Sequence, residues 1–363
     1  MVAPEISAPA RVAAPDEAIS LDELRLATRN HGMPLEALRY DLTPAGLHYL
    51  LIHYDIPDVD PDAWRLRIGG HVDAPVTLDL DQLRARERVS HTVTLECAGN
   101  GRARLLPRPI SQPWLDEAVG TARWTGAPLA ALLRDAGLRD GAVDVVFTGC
   151  DHGTERGVEQ DYQRALPVAD ALGEEVILAY EMNGAPLPPQ HGAPVRLIAP
   201  GWYGMAQVKW LREITVLDGP FRGFQNAVAY RRKRDPDDPG EPITRIQPRA
   251  LMIPPGFPDF MTRRRIVDAG EVRLRGRAWS GRAPLRAVEL SVDGGATWTP
   301  AELEAAGERY AWRAWSASWT ARPGDHELCV RAIDELGGQP VGQPWNTQGM
   351  ANNMVQRVIV TVR

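Results

Sequence analysis

The stretch HTVTLECAGNGR, residues 91–102, runs from an alternating strand pattern into a lone cysteine and a glycine-rich turn. Val93, Leu95 and Cys97 alternate with polar residues, so a strand would point all three side chains to one face. The two glycines of AGNGR can adopt positive φ and let a ligand approach the backbone. Arg102 follows the thiol and can place a fixed positive charge near it. A reactive or metal-binding thiolate needs this electropositive, accessible setting.

A buried structural cysteine is the main alternative for Cys97, because Cys is among the most buried residue types. A nucleophile would need a base within reach, and no nearby histidine offers a recognisable pairing. Zinc needs three or four protein ligands, but the chain has no C-x-x-C, H-x-x-x-H or His/Cys cluster. His48 and His53, in HYLLIH, are predicted to lie on opposite faces of a strand. A metal held by Cys97 alone must therefore take its other ligands from an organic cofactor.

Length and composition limit the class of protein. With 363 residues, two domains are expected. The net charge of −6 argues against a nucleic-acid partner, since nucleic acids are bound largely through basic charge. No run of about 18 or more apolar residues is present, so no membrane span is expected. The N-terminal residues contain no apolar signal core, which predicts a cytoplasmic protein, or a periplasmic one if a signal has been removed.

Residues 1–19 are rich in Ala and Pro and are predicted to be disordered. Ser20 and Glu23 then form a capping-box pattern that predicts the start of a helix. Further along, short strand-like and helical runs alternate without a regular βαβ repeat, which predicts an α+β domain over residues 20–245. The clearest strand predictions there are 143–151, 175–184 and 193–201, and the clearest helix prediction is 127–138.

Residues 231–249, RRKRDPDDPGEPITRIQPR, are charged and carry four prolines, a composition typical of a linker. Beyond the linker, runs of period two are separated by Gly/Asp turns, with no helical pattern between them. Examples are EVRLRGRAW, AVELSVDGGATW and the closing RVIVTV. This pattern predicts an all-β sandwich over residues 246–363.

Several motifs together carry a resemblance to a known family. The longest and most specific is LAYEMNGAPLPPQHGAPVRLIAPGWYGMAQVKWL, residues 178–211. The others are TRNH (28–31), TLECAGNGR (94–102), GTARWTGAPL (120–129), AWSGRAPLRAVELSVDGGATW (278–298) and PWNTQGMANN (344–353). With these motifs the chain resembles the sulfite oxidase family of molybdenum enzymes. The resemblance implies an α+β molybdopterin-binding domain followed by an immunoglobulin-like sandwich that forms a homodimer.

The resemblance also implies roles for the residues that match family motifs. Cys97 corresponds to the thiolate ligand of molybdenum, beside the dithiolene of a pyranopterin (molybdopterin). The residues expected to bind this cofactor are Asn30, His31, Cys97, Asp151, His191, Arg196 and Lys209. The residues expected in the catalytic pocket are Arg29, Arg102, Trp114 and Tyr230. Guanidinium groups suit a compact oxyanion such as sulfite, and a phenol can shuttle a proton.

The chain departs from the family pattern at the expected anion site. Animal members carry an arginine where this chain has Gln348, and plant and animal members carry one where it has Gly101. One positive charge that helps recognise sulfite is therefore expected to be missing. The sequence GMANN, residues 349–353, is closer to the assimilatory nitrate reductases, which share this fold.

The reaction implied by the resemblance is two-electron oxygen-atom transfer, with oxidation of sulfite to sulfate as the first expectation. The alternatives are nitrate reduction or oxidation of another sulfur compound at the same site, and a non-catalytic family member. No haem domain and no C-x-x-C-H haem motif are found in the sequence. Electrons are therefore expected to pass to a separate acceptor, a cytochrome c-like protein or oxygen.

Overall fold

A computed structural model describes residues 11–363, whose strands form two five-stranded sheets, a two-stranded ribbon and a ten-stranded assembly. These residues contain the α-helices α1 (Leu21–Arg29), α2 (Leu80–Arg84), α3 (Leu129–Ala136) and α4 (Val168–Ala171). Shorter helical turns, of 3-10 type except for a π turn at 225–229, lie at Leu35–Arg39, Ala45–Leu47, Arg102–Arg104, Pro189–His191, Gly204–Ala206 and Gln225–Ala229.

The strands fall into an N-terminal and a C-terminal group. The N-terminal strands are β1 (Leu66–Gly70), β2 (Val76–Leu78), β3 (Val89–Glu96), β4 (Val119–Pro128), β5 (Asp144–Glu155), β6 (Val158–Pro167), β7 (Ile177–Met182), β8 (Ala185–Pro186), β9 (Arg196–Ile198), β10 (Leu211–Leu217), β11 (Arg231–Arg232) and β12 (Glu241–Pro242). The C-terminal strands are β13 (Arg249–Met252), β14 (Phe257–Pro258), β15 (Arg265–Val267), β16 (Gly270–Trp279), β17 (Leu285–Ser291), β18 (Thr299–Leu303), β19 (Arg313–Ala321), β20 (Gly324–Asp334), β21 (Gly337–Gly338) and β22 (Gln356–Val362).

The N-terminal strands build a mixed α+β structure. One sheet has the order β2-β1-β10-β5-β6, in which β1 and β10 are parallel and the other neighbours antiparallel. The other has the order β3-β4-β7-β8, with β9 also paired to β7. A single apolar core joins the two sheets to α3, with Leu66, Phe147, Leu178 and Leu133 among its fully buried members. The predicted α+β class is confirmed, and so is the helix prediction at 127–138.

The C-terminal strands form a two-layered β-sandwich, as the period-two pattern predicts. Strand β18 pairs with β17 at one end and with β19 at the other, and so links the two layers. The apolar side chains of each strand meet between the layers, where Leu274, Trp315, Val330 and Val360 are buried. Such alternation of buried and exposed residues along a strand is what places one face of each sheet in a shared core.

The sandwich packs directly on the N-terminal sheets. Met33, Tyr203 and Tyr230 from the N-terminal side form one buried cluster with Leu251 and Trp279 from the sandwich. The segment 231–249, predicted as a linker, runs along this contact. The sandwich therefore contributes to the walls around the loop that carries Cys97.

The N-terminal segment is partly described. The helix that begins after Ser20 has the predicted capping box: the Ser20 hydroxyl accepts the Glu23 N–H at 3.3 Å, and the Glu23 carboxylate accepts the Ser20 N–H at 3.0 Å. Of the segment predicted to be disordered, residues 1–10 lie outside the described residues. Ala13 is buried and donates its N–H to the Arg108 carbonyl at 2.8 Å, so this part of the segment lies against a loop. No helix in residues 11–363 has the length and apolar character needed to span a bilayer.

Candidate active site

Cys97 immediately follows strand β3, where the chain turns away from the sheet. Its side chain is 7% exposed, and its sulfur accepts the N–H of Gly99 at 3.4 Å. Burial raises the pKa of the Cys97 thiol, whereas the Arg102 guanidinium acts to lower it. None of the three cysteines of the chain is disulfide-bonded in the described structure. Cys97 lines two cavities, called here the inner and the outer cavity, and has the Arg102 guanidinium beside it.

The inner cavity lies on one side of Cys97 and is lined mainly by titratable side chains. Its polar lining residues are His48, Tyr49, His53, Cys97, Asp151, Tyr162, His191, Arg196, Gln207, Lys209 and Tyr230. Five of the cofactor-binding residues predicted from sequence are among them. The outer cavity lies on the other side and includes Arg102, Trp114, Arg156, Tyr230 and Gln348.

The inner cavity contains two cations, Arg196 and Lys209, that form no salt bridge with a carboxylate in residues 11–363. Arg196 donates to the carbonyls of His191 at 3.0 Å and Gln207 at 3.2 Å, and Lys209 donates to the carbonyl of Leu51 at 2.8 Å. Burial lowers the pKa of Arg196 to about 10, and burial together with Arg196 lowers the pKa of Lys209 to about 7. A buried anion next to these groups would stabilise their charged forms and offset the effect of burial. This wall therefore suits a phosphate or another anionic group.

Two histidines complete the same wall. The rings of His48 and His191 lie 5.5 Å apart, edge to face. Burial lowers the pKa of His48 to about 4 and that of His191 to about 2, the latter also through His48, Arg196 and Lys209. Both imidazoles are consequently neutral at physiological pH and can donate or accept hydrogen bonds to a bound ligand.

Asp151 reaches the inner cavity because strand β5 is irregular. Thr148 pairs with Gln163 and His152 with Asp161, so three residues of β5 stand opposite one residue of β6. Such a bulge turns a side chain that regular alternation would place elsewhere. The Asp151 side chain is buried, and burial raises the pKa of its carboxyl to about 6.

Tyr230 borders both cavities and is hydrogen-bonded to a histidine. Its hydroxyl lies 2.7 Å from Nε2 of His53. Burial raises the pKa of Tyr230, and burial lowers the pKa of His53 to about 3. Because the imidazole is neutral and the phenol protonated, the Tyr230 O–H can donate to His53 Nε2. The pair forms a hydrogen-bonded proton path between two side chains that both line the two cavities.

The outer cavity has a volume of about 290 Å³, near the lower end of the range for ligand pockets. Arg102 is buried in its wall and donates to the main-chain carbonyls of Gln348 at 2.6 Å and Gln112 at 3.2 Å. The indole N–H of Trp114 is buried close to the Cys97 sulfur, where it acts to lower the pKa of the thiol, and it has no other hydrogen-bond partner in residues 11–363. A small ligand that accepts hydrogen bonds and carries negative charge fits these walls.

The loop between β21 and β22, called here the C-terminal loop, forms part of the wall of this cavity. Ala351 donates its N–H to the Ala98 carbonyl at 2.7 Å, and Asn352 donates its side-chain amide to the Gly101 carbonyl at 2.7 Å. Gly349 has φ +59°, and a Cβ there would lie 2.6 Å from Cγ of Arg102. Only glycine allows this close approach without displacing Arg102. The Cys97 loop and the C-terminal loop therefore form one structural unit.

Three of the residues predicted from the TRNH motif do not line either cavity. The Arg29 guanidinium is partly exposed and is bound by the Tyr54 carbonyl and by Asp55, at 3.2 Å from the latter. With these partners, the Arg29 guanidinium lies outside the outer cavity, where the anion site is expected. Asn30 is buried and uses its amide to hold Ile52 and Gln112. His31 is exposed and pairs through its main chain with Leu50.

Sequence reasoning missed two histidines and one arginine of the site. His48 and His53, predicted to face opposite sides of a strand, both line the inner cavity. Residues 48–53 are irregular rather than a regular strand, with an isolated bridge at Leu50. Arg156 lies in the outer cavity although its surroundings in sequence resemble a solvated turn. The only sequence signal for the histidines is their type, and for Arg156 there is none.

The donor set around Cys97 does not fit a metal held by protein alone. In residues 11–363, no three His, Cys, Asp or Glu side chains converge in the manner of a metal site. Three buried atoms of residues that line the inner cavity nevertheless lack hydrogen-bond partners in residues 11–363, namely His48 Nε2, Asp151 Oδ1 and Arg196 Nε. Buried polar atoms are seldom left unpaired, so these atoms suit a bound group rich in donors and acceptors. The residues present thus fit a metal whose other ligands come from an anionic organic cofactor.

Two family models match the chain. The oxidoreductase molybdopterin binding domain matches residues 53–225, and the Mo-co oxidoreductase dimerisation domain matches residues 251–363. The first range contains most of the residues that line the inner cavity, including Cys97, and the second contains most of the sandwich. The chain therefore carries a molybdopterin-binding domain, which implies a molybdenum cofactor.

Individual relatives point to the same group. The chain is 35% identical over 351 residues to mitochondrial sulfite oxidase of Homo sapiens, covering 88% of this chain and 62% of that protein. It is 34% identical over 345 residues to sulfite oxidase of Gallus gallus, covering 87% and 72%. A nitrate reductase of Brassica napus is 30% identical over 371 residues, covering 92% of this chain and 40% of that enzyme.

The fold itself matches a solved structure. The sulfane dehydrogenase SoxCD from Paracoccus pantotrophus superposes with a TM-score of 0.79 at 23% identity, over 97% of this chain and 94% of that one. At this identity the likeness concerns the fold. The chain spans about three fifths of the length of the mammalian relatives it matches, 62%. Taken with the cavity around Cys97, these matches place the chain in the sulfite oxidase family of molybdenum oxidoreductases.

Proposed function

We propose that the chain oxidises sulfite to sulfate at a molybdenum cofactor and passes the electrons to a separate acceptor. The observation that carries this proposal is the position of one buried thiol between two cavities of different chemistry. One cavity presents unpaired buried cations and neutral imidazoles, and the other presents guanidinium groups and an indole N–H. A cofactor and an anionic substrate would thus meet at Cys97.

Cys97 would be the protein ligand of the metal. His191, Arg196, Lys209 and Asp151 would hold the organic part of the cofactor, with the two cations facing its anionic group. Asn30 and His31 remain proposed cofactor residues on the strength of the family resemblance. When bound, the cofactor would supply the two-electron redox couple. His191, Arg196 and Asp151 would hold it without large rearrangement, since they are already buried in the wall of the inner cavity.

The outer cavity would bind the substrate. In the net reaction, sulfite and water give sulfate, two protons and two electrons, so the cavity must hold a compact oxyanion and release protons. Arg102 would offset the negative charge of the anion, and Trp114 would donate its N–H to an oxygen. Arg29 would contribute only if its guanidinium left Asp55.

Tyr230 and His53 would handle a proton. Tyr230 borders the substrate cavity, and its hydroxyl can accept a proton as it passes its own to His53 Nε2. The low pKa of His53, about 3, favours onward release of that proton over its retention. A proton would therefore not accumulate beside the substrate.

A second candidate is the same centre acting on another substrate, nitrate or a different sulfur compound. Gln348 favours it, because an uncharged amide stands where the family resemblance predicts an arginine. The relationship to a nitrate reductase supports the same alternative. A non-catalytic role is the third possibility, and the unpaired cations of the inner cavity argue against it.

The homodimer, the domain boundary and the electron acceptor are also part of the proposed function. The sandwich would form a homodimer, consistent with the dimerisation-domain model over residues 251–363. We place the boundary between the two domains near residue 245, within the proline-rich segment 231–249. The acceptor would be a cytochrome c-like protein or oxygen.

Metal analysis and steady-state kinetics test the proposed function. We expect stoichiometric molybdenum in the purified protein, and turnover of sulfite with an artificial oxidant that exceeds turnover of nitrate with an artificial reductant. Absence of molybdenum from protein made in cells that synthesise the cofactor would support the non-catalytic alternative. Faster turnover of nitrate would reject sulfite as the substrate.

A further inference from the structure

Arg156 occupies an unusual backbone position at the tip of the β5–β6 hairpin. Arg156 and Gly157 form a two-residue turn with φ of 51° and 77°, between the paired residues Glu155 and Val158. A positive φ is uncommon for a residue with a side chain and costs free energy. The hairpin thus keeps a strained arginine at a position where glycine would be favoured.

The Arg156 side chain points into the outer cavity and is incompletely bonded. Its Nη2 donates to Oε1 of Gln348 at 3.3 Å, and the guanidinium lies 5.8 Å from the centre of the Phe224 ring. Its Nε and Nη1 atoms are buried and have no hydrogen-bond partner among residues 11–363. Buried donor atoms such as Nε and Nη1 of Arg156 require acceptors.

No carboxylate in the described residues takes up this charge. Glu155, the neighbour in sequence, accepts a hydrogen bond from Gln225 at 3.0 Å and makes no ion pair with Arg156. Arg11, a third arginine of the outer cavity, is already paired with Glu17 at 2.9 Å. Arg156 and Arg102 are therefore the two cations of this cavity left without a carboxylate partner.

Gln348 connects these two cations. Its main-chain carbonyl accepts the Nε–H of Arg102, and its side-chain carbonyl accepts from Arg156. One residue of the C-terminal loop therefore fixes two guanidinium groups on the wall of the same cavity. Its own Nε2 is a further buried donor without a partner in the described chain.

We propose that Arg156 is a substrate-binding residue, which together with Arg102 clamps a compact oxyanion such as sulfite, and that Gln348 positions both. The positive charge of this wall then comes from the hairpin rather than from position 348. This inference rests on the proposed function for the identity of the substrate, but not for the anionic character of the ligand. Two guanidinium groups on one small anion offer the paired donors that oxyanions favour.

The test compares Arg156→Gln, Arg156→Lys and Gln348→Ala in the metal-loaded enzyme. We expect Arg156→Gln to raise KM for sulfite and the inhibition constant for sulfate about 10- to 100-fold, the range for loss of a hydrogen bond to a charged group. The kcat value should change far less. Arg156→Lys should recover part of the affinity through its charge, and Gln348→Ala should weaken binding in the same direction by a smaller factor.

Arg123→Gln is the matched control, because Arg123 is exposed on β4, outside the outer cavity. It should leave KM and sulfate inhibition unchanged. Metal content and the visible absorption of each variant show whether the cofactor site has survived. Unchanged KM and unchanged sulfate inhibition in Arg156→Gln, with the metal bound, would overturn the proposal.

A direct binding measurement separates this inference from the proposed function. Calorimetric titration of the oxidised enzyme with sulfate needs no turnover. If the enzyme does not oxidise sulfite but binds sulfate more weakly after Arg156→Gln, the proposed reaction fails and the anion site stands. If wild type binds no sulfate, or both proteins bind it equally, the role of Arg156 is rejected whatever the reaction.

Discussion

Replacing Glu96 with glutamine tests how the sandwich is attached to the loop that carries Cys97. Glu96 precedes the thiol and is 1% exposed. Its carboxylate accepts Nε–H of Arg249 at 2.7 Å and Nε1–H of Trp279 at 2.7 Å, both from the sandwich, and the Asn100 amide at 3.2 Å. The substitution preserves shape and removes the charge opposite a buried guanidinium.

The expected loss of stability follows from the contacts that remain. Removing one partner of a buried ion pair costs about 3–5 kcal/mol when the other charge stays buried without a counter-charge. Arg249 keeps the Asp116 carboxylate at 3.9 Å and the main-chain carbonyls of Asn100 and Asn352, which places the expected loss near the lower end. A loss of about 3 kcal/mol corresponds to roughly a 100-fold shift of the unfolding equilibrium.

Urea unfolding of the metal-loaded protein, followed by tryptophan fluorescence and by the visible absorption of the centre, measures this loss. Glu181→Gln is the matched control: Glu181 binds Arg88 at 2.8 Å, but the Arg88 side chain is 60% exposed. An exposed pair of this kind contributes about 0–1 kcal/mol. Equal destabilisation by the two variants would refute the view that the buried contact joins the sandwich to the Cys97 loop.

Three further predictions concern the cavities themselves. Cys97→Ala should keep the circular dichroism of the wild type but abolish sulfite turnover and the thiolate-to-metal absorption, and an active variant would reject Cys97 as the ligand. Tyr230→Phe should lower kcat roughly 10- to 100-fold, in the range of general acid–base effects, with the absorption band retained; an unchanged kcat would exclude the Tyr230–His53 proton path. In cofactor-free protein the pKa of Lys209 is lowered to about 7, so the unfolded chain binds this proton more tightly than the folded protein does. The free energy of unfolding should therefore increase as pH rises from about 7 toward 10, by up to about 1.4 kcal/mol per pH unit. Lys209→Met should flatten this rise in urea titrations at several pH values, and an identical slope would contradict the buried-cation account of the inner cavity.

Patterns along the chain predicted those helices and strands whose formation depends on residues close to one another in sequence. The capping box of α1, the helix at 129–136 and the alternating strands of the sandwich all follow from spacing along the chain. The glycines and the arginine that follow Cys97 also predicted a loop there, which the structure has as a buried turn. These features are local, so tertiary contacts did not need to be known.

The rest of the site depends on contacts that sequence spacing does not contain. His48 and His53 reach one cavity because their segment lacks regular strand geometry, so alternation gives the wrong faces. Arg156 is a turn residue in sequence, and its contact with Gln348, 192 residues away along the chain, is not contained in any local pattern. Arg29 shows the converse, since Asp55, distant in sequence, holds its side chain away from the outer cavity.

The central claim is that Cys97 binds a molybdenum centre that sulfite reduces. Anaerobic titration of the oxidised protein with sulfite, followed by the visible thiolate-to-metal absorption, tests it most directly. We expect the band to be present in the wild type, to be missing in Cys97→Ala, and to bleach with a stoichiometric amount of sulfite. A band that persists after excess sulfite would contradict sulfite as the substrate, and a metal-loaded protein without any such band would contradict the bond to Cys97.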